Sequence, residues 1–379
     1  MTAQDDCRRA RAYLLRVAEP PAPGLTALIG SCGPVEAAAR VRAGEAPERV
    51  LHETSARRSA DHVDADLANA ERVGARLVVP EDPEWPAWQL LALDAAAARG
   101  LHWACPPIAL WVRGTASLSD LVDRAVSVVG ARAATGYGEH VAAEFGHGLA
   151  GAGWTIVSGA AYGIDGAAHR GALAAGGRTV AVLGCGVDVG YPAGHASLLD
   201  KITDRGLVIS EYAPGTPPAR HRFLVRNRLI AALSGGTVVV EAGVRSGARN
   251  TAASAGALGK ELMAVPGPIT SAMSLGCHEL LRSGAAIPVG SVEEILESVG
   301  RMGEGLQPRA AAPARPTDGL GAEAMRVHDA LGRRSGRSPD RIALDSGVPL
   351  DRVRALLPEL ELGGLARRCE DGWRTAAAS

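Results

Sequence analysis

Apolar residues along this chain fall into two regimes. From residue 125 to about 265, short uninterrupted runs (AVSVVG, WTIVSG, TVAVLG, GLVISE, TVVVEAG, LMAVPG) alternate with Ala-rich stretches such as YGEHVAAEFGHGLAGAG and GIDGAAHRGALAAG. Continuous apolar strands separated by helices predict a doubly wound, mostly parallel α/β sheet covered on both faces. Each run ends in Gly, Ser or Glu, and in open sheets of this kind ligands bind outside the carboxyl ends of the strands. Upstream, RLVVPEDPEWPAWQLLALD and PPIALWVRG predict a leading strand, a Trp/Pro-rich loop and another strand.

The flanks follow a helical period instead. Residues 1–75 read as short helices, including VEAAARV and SADHVDADLANAERVGA. Between two of them, LIGSCGPVEAAARV holds a Gly-x-x-Gly-Pro turn of the kind that presents backbone N–H groups to phosphate in helix-hairpin-helix modules. A plain inter-helix turn is the preferred reading, since Gly and Pro punctuate any helix pair. The sheet domain then spans 76–300. Residues 301–319, RMGEGLQPRAAAPARPTDG, make a Pro/Ala-rich linker. Over 320–379 come a helix at AEAMRVHDALG, a second opened by Ser338 and Pro339, a third at PLDRVRALLPELELGGL, and a hairpin at ARRCEDGWRTA, together a winged helix.

Composition narrows the function. At 379 residues with 47% hydrophobic and 21% charged, the chain can bury sizeable cores, and its net charge of −1 excludes a globally basic coat but not a local basic cleft. Six scattered cysteines without a CxxC pair argue against a zinc site and for a reducing compartment. The charged start MTAQDDCRRARAYLL lacks a signal-peptide core, and no apolar run is long enough to span a membrane, so a cytoplasmic location is expected.

No motif supplies a catalytic machine: GxxxxGK[ST], HExxH and GxSxG are all missing. Asp165, His169, Asp188 and Glu241 read as caps and loop-holding acceptors, and no cofactor or metal is expected. In VAVLGCGVDVGYP, Gly184, Gly186 and Gly190 hint at a dinucleotide loop, but Tyr191-Pro192 interrupts the place where a helix should open. SGGTVVVEAG resembles the PGGxGTxxE of lysine-decarboxylase-like phosphoribohydrolases, with Gly235, Gly236, Thr237 and Glu241 present but the spacing broken. A nucleotide-processing hydrolase in the same crevice is the alternative reading.

What remains is a surface for anions and bases. RHRFLVRNR, residues 220–228, packs four arginines around Phe223, one of only two phenylalanines. A helix is expected to start near residue 225, placing Arg226 and Arg228 in its first turn, where the macrodipole disfavours cations unless an anion is expected. The alternative is that they pair with Glu211 or Glu241. On a loop among arginines, Phe223 is a stacking candidate for a base. The residues by themselves point to a single-strand binding crevice.

SVVGARAATGYG, IVSGAAYGIDGAAHRGAL, VLGCGVDVGYP, SEYAPGTPP, RHRFLVRNRLIAALS, VVVEAGVRSGA and AVPGPITSAMSLGCHELLRSGA closely resemble the DNA-processing protein A (DprA/Smf) family over about 125–297. The resemblance implies an extended Rossmann-like fold with an N-terminal sterile-alpha-motif-like domain and a C-terminal winged helix. It implies a protein that binds single-stranded DNA without hydrolysing it, dimerises, and loads RecA recombinase in natural transformation. It places the DNA contacts on Gly130, Arg132, Ser158, Gly159, Arg220, Phe223, Arg226, Asn227, Arg228, Arg245, Ser246 and Gly247. Two positions depart from the family pattern, Tyr162 where Arg is common and Arg249 where an apolar residue is common. In the winged helix, Arg352, Arg354, Arg367 and Arg368 suit duplex DNA, while Asp351, Glu359, Glu361, Glu370 and Asp371 nearly cancel them and leave a protein contact equally open.

Overall fold

The computed structural model describes residues 2–244, 246–300 and 317–376. These form two compact units, one on each side of the segment 301–316. Most of the expected linker, and Arg245, lie outside the described residues.

The first unit is built on nine strands: β1 (Ala75–Val78), β2 (Leu110–Arg113), β3 (Ala125–Val129), β4 (Thr155–Ser158), β5 (Thr179–Leu183), β6 (Leu207–Ser210), β7 (Gly236–Val239), β8 (Glu261–Ala264) and β9 (Ile287–Pro288). Their order is β1-β2-β6-β5-β4-β3-β7-β8-β9, parallel from β6 to β9, with β1 and β2 antiparallel at one edge. Every residue of β3 and β5 is buried, as the apolar runs require of strands covered on both faces. The chain steps from β3 out to β6 and returns to β7 on the other side of β3. That reversal is the topological switch point, where the loops after β3 and β7 part and leave a crevice.

Five helices, Ala3–Val17, Pro23–Cys32, Pro34–Ala43, Glu48–Thr54 and Val63–Arg72, precede β1. They share a core with the sheet, in which Tyr13 and Leu14 join Leu77 and Trp111. Arg11 reaches both oxygens of Glu81, at 2.9 and 2.7 Å, and the Ile108 carbonyl at 2.8 Å.

The helix expected near residue 225 begins five residues earlier and runs Arg220–Ala232. Pro217 and Pro218 cannot extend it further back, and the Phe223 N–H donates to the Ala219 carbonyl at its first turn. The early start tolerates its cations because Arg222 pairs with Glu19 at 2.7 Å, a carboxylate from the distant N-terminal segment. Arg226 and Arg228 therefore sit in the body of the helix, not in its first turn.

In the second unit, helices Ala322–Asp329, Pro339–Ser346 and Leu350–Leu362 lead to a hairpin of β10 (Ala366–Cys369) and β11 (Gly372–Thr375). Ser338 caps the middle helix by accepting from the Arg341 N–H, with Pro339 at its first position. Val327, Ile342, Val353, Leu357 and Ala366 form its core. This is the winged helix that the pattern predicts.

Candidate nucleic-acid interface

The crevice at the switch point has a volume of about 910 Å3 and is lined by Gly130, Arg132, Arg220, Phe223, Asn227, Ser246 and Gly247 among others. A cavity of equal volume lies beside β1, but its Arg76 is committed to Glu84 and to the Gly114 and Ala116 carbonyls. The switch-point crevice is different. Its two exposed guanidinium groups, Arg132 and Arg220, have no carboxylate partner among the described residues. Two helices also open on it, at Ala219 and at Gly247, with N–H groups that favour anions.

Glycine at two of the sites serves packing. A Cβ at Gly130 would stand 2.4 Å from Ile164 Cγ1 and 2.9 Å from the Glu241 carbonyl oxygen. The loop after β3 must lie that close because the Ala131 N–H donates to the same carbonyl at 2.8 Å. A Cβ at Gly159 would meet the Arg226 guanidinium at 2.6 Å. Ser158 is fully buried and donates its hydroxyl to the Val128 carbonyl at 2.6 Å.

The four arginines of 220–228 have four different fates. Arg220 is exposed and has no ion-pair partner among the described residues. Arg222 is held by Glu19, which also takes Arg57 and His221. Arg226 is buried against Phe223 and donates to the carbonyls of Gly159 and Val182; burial lowers its pKa to about 10. Arg228 is 2% exposed and makes a bidentate pair with Glu211 at 2.5 and 2.7 Å, the structural partnership that the sequence left open. Arg228 and Ser158 do not line the crevice, whereas Asn227 does and donates to Asn250 at 3.1 Å.

Phe223 stands at the centre of an aromatic stack. The Tyr191 ring lies 5.2 Å from it with 21° between planes, and the Arg132 guanidinium carbon is 5.4 Å from its centroid. Tyr191, 37% exposed, is the residue that reading the sequence missed, because Tyr-Pro served there only as a break in a would-be helix. The signal available was positional: it follows β5 and so belongs at the same sheet end as Phe223. Tyr162 lines a smaller cavity behind this stack, its ring edge-on to His195 and its hydroxyl accepting from the Gly194 N–H. Arg249 pairs with Glu279 at 2.6 Å.

The acidic residues hold loops. Buried Asp165 accepts from the N–H groups of Gly159 and Ala161, and burial raises its pKa. Glu241 accepts from Thr135 N–H and hydroxyl, and Asp188 from Gly215. His169 bonds Thr179 inside the core, where burial lowers its pKa to about 3. Among the described residues no group of His, Cys, Asp or Glu is placed to hold a metal ion, and no helix is long and apolar enough to cross a membrane.

Residues 76–300 match the family model of DNA recombination-mediator protein A, and residues 311–372 match that of the DprA winged helix domain. The chain belongs to the DNA recombination-mediator protein A family. A putative DNA processing protein DprA from Mycobacterium tuberculosis is 50% identical over 377 residues, covering 99% of this chain and 96% of that one. The X-ray structure of DprA from Streptococcus pneumoniae superposes with a TM-score of 0.56 at 34% identity, over 67% of this chain and 81% of that chain. A Helicobacter pylori DprA structure, described for its single-stranded DNA binding mode, gives a TM-score of 0.47 at 31% identity over 51% of this chain and 86% of that one. Membership makes this chain a DNA recombination mediator, and the nucleotide-hydrolase alternative is not favoured.

Proposed function

We propose that the switch-point crevice binds single-stranded DNA and that the chain acts by binding, not by bond cleavage. One observation carries this reading: Arg132 and Arg220, without a carboxylate partner among the described residues, line the same crevice as the Tyr191–Phe223 stack, where two helix N-termini open. Cations that track phosphates beside aromatic faces that stack bases are what sequence-tolerant single-strand binding needs. The buried acids contribute to this reading, since Asp165 and Glu241 are occupied in holding loops and Glu211 in pairing with Arg228. Homodimerisation and hand-over of the strand to RecA are part of the proposal and rest on the family resemblance, and a cytoplasmic location is part of it on the strength of the scattered, unpaired cysteines.

Fluorescence anisotropy of labelled oligo-dT across a salt series tests it. Tight, salt-sensitive binding that Arg220→Ala and Phe223→Ala weaken supports the crevice. Unchanged affinity in folded variants, or release of base from a nucleoside monophosphate, overturns it.

A further inference from the structure

The winged helix sorts its arginines into two groups. Arg337 and Arg341 share Asp345, at 2.9 and 3.2 Å, and Arg352 pairs with Glu323 at 2.9 Å. Arg326, Arg333, Arg334, Arg354, Arg367, Arg368 and Arg374 have no ion-pair partner among the described residues. Of these, Arg333, Arg334, Arg367 and Arg374 lie in the hairpin or in the turn bridged to it.

The wing is wider than a hairpin. The segment after the first helix joins β11 through bridges Gly332–Arg374 and Arg337–Trp373, with Thr375 N–H donating to Gly332 at 2.9 Å. Two glycines make that join close enough. A Cβ at Gly332 would meet the Ser335 carbonyl at 1.9 Å, and one at Gly336 would meet Cys369 Sγ at 2.5 Å. The turn Arg333-Arg334 is thereby fixed beside the hairpin.

Within the hairpin, Arg367 stands directly opposite Arg374. Ala366 is buried and Trp373 packs on the core, so strand alternation turns Arg367, exposed, and Arg374, half-buried, to the outer face. Like charges directly opposite one another destabilise a strand pair. A fold that sets two there, adds two more on the adjoining turn and provides no carboxylate among them is arranged for an external anion. The acids nearest in the chain are Glu370 and Asp371 in the hairpin turn, while Glu361 accepts from the Arg368 backbone N–H at 3.2 Å.

The helix Leu350–Leu362, which in a winged helix is the element expected to enter a groove, has the opposite character. Its exposed residues include Asp351, Glu359 and Glu361 against one unpaired cation, Arg354. A polyanion would be repelled there.

We propose that the outer face of the wing, Arg333, Arg334, Arg367 and Arg374, binds the phosphate backbone of duplex DNA, with the helix Leu350–Leu362 kept out of the groove. The outer face carries no aromatic ring, so it has nothing on which to stack an unpaired base. Rows of phosphates held at fixed spacing suit it better than a single strand does. This contact is independent of the crevice and does not rest on the function proposed for it.

The test uses the full chain with a labelled blunt duplex and, separately, labelled oligo-dT, each across a salt series. Replacing the four arginines together with Ala is expected to lower duplex affinity at least about tenfold and to flatten the slope of log K against log salt by about 2–4, leaving oligo-dT binding unchanged. A four-fold Lys variant keeps the charges and should retain most of the slope, which separates lost contacts from a damaged wing. A folded Ala variant with unaltered duplex binding overturns the proposal. So does a larger loss from Arg354→Ala, which would mean that the helix is the contact.

Discussion

The Tyr191 ring lies 5.2 Å from the Phe223 ring, at 21° between planes, and joins the loop after β5 to the first turn of the helix Arg220–Ala232. The more exposed member of the pair is Tyr191, so an incoming base meets that ring as well as Phe223. Tyr191→Ala is expected to weaken oligo-dT binding by about 1–3 kcal/mol, roughly five- to 150-fold, with Tyr191→Phe close to wild type. Anisotropy titration of both variants checks this, and equal loss in both would assign the effect to the hydroxyl.

Arg132 and Arg220 should act as charges. Each Ala substitution is expected to reduce the salt slope for a single strand by about 0.7, without a change in thermal stability. A drop in affinity with an unaltered slope would point to a packing role.

Arg228 should behave in the opposite way. Removing it leaves Glu211 charged and unpaired in the core, so Arg228→Ala is expected to lose about 3–5 kcal/mol of stability. Denaturant unfolding reads the loss, and restoration by Arg228→Met combined with Glu211→Leu would confirm that the pair serves the fold. Gly130→Ala is expected to cost about 1–3 kcal/mol in the same assay, because Ile164 and the Glu241 carbonyl already fill the space.

Acid should loosen the link between the N-terminal helices and the crevice helix. Burial pushes the Glu19 carboxyl up, but hydrogen bonds from Arg222 and Arg57 outweigh it, and the group titrates below its ordinary value of 4.5. A carboxyl lowered in the folded state gives stability that is full above its unfolded pKa and is lost as pH falls through the folded one. Glu19→Gln should therefore be less stable than wild type at neutral pH, with the gap closing below about pH 4.5. Unfolding midpoints across that range would show it. A constant gap would mean that Glu19 acts through shape alone.

Much of this was legible in the sequence. Strands such as TVAVL announce themselves because a parallel sheet buries both faces, and the glycines at their ends mark the switch-point loops. The fates of the arginines were not legible. Arg222 meets a carboxylate 203 residues away and Arg228 one 17 residues away, and only the strand order decides which carboxylate arrives. The helix start was hidden for the same reason, since its first turn is polar in sequence and is stabilised from elsewhere. Tyr191 escaped because its meaning depends on a neighbour that the topology brings to it.

The Glu19 contact also bears on how this protein can be dissected. A cut before β1 would discard the acid that pairs with Arg222 and hydrogen-bonds His221. Such a fragment would carry a bare Arg222 guanidinium on the crevice helix, with Leu77 and Trp111 stripped of the helices that cover them. A gain in its grip on any polyanion would measure the missing counter-charge.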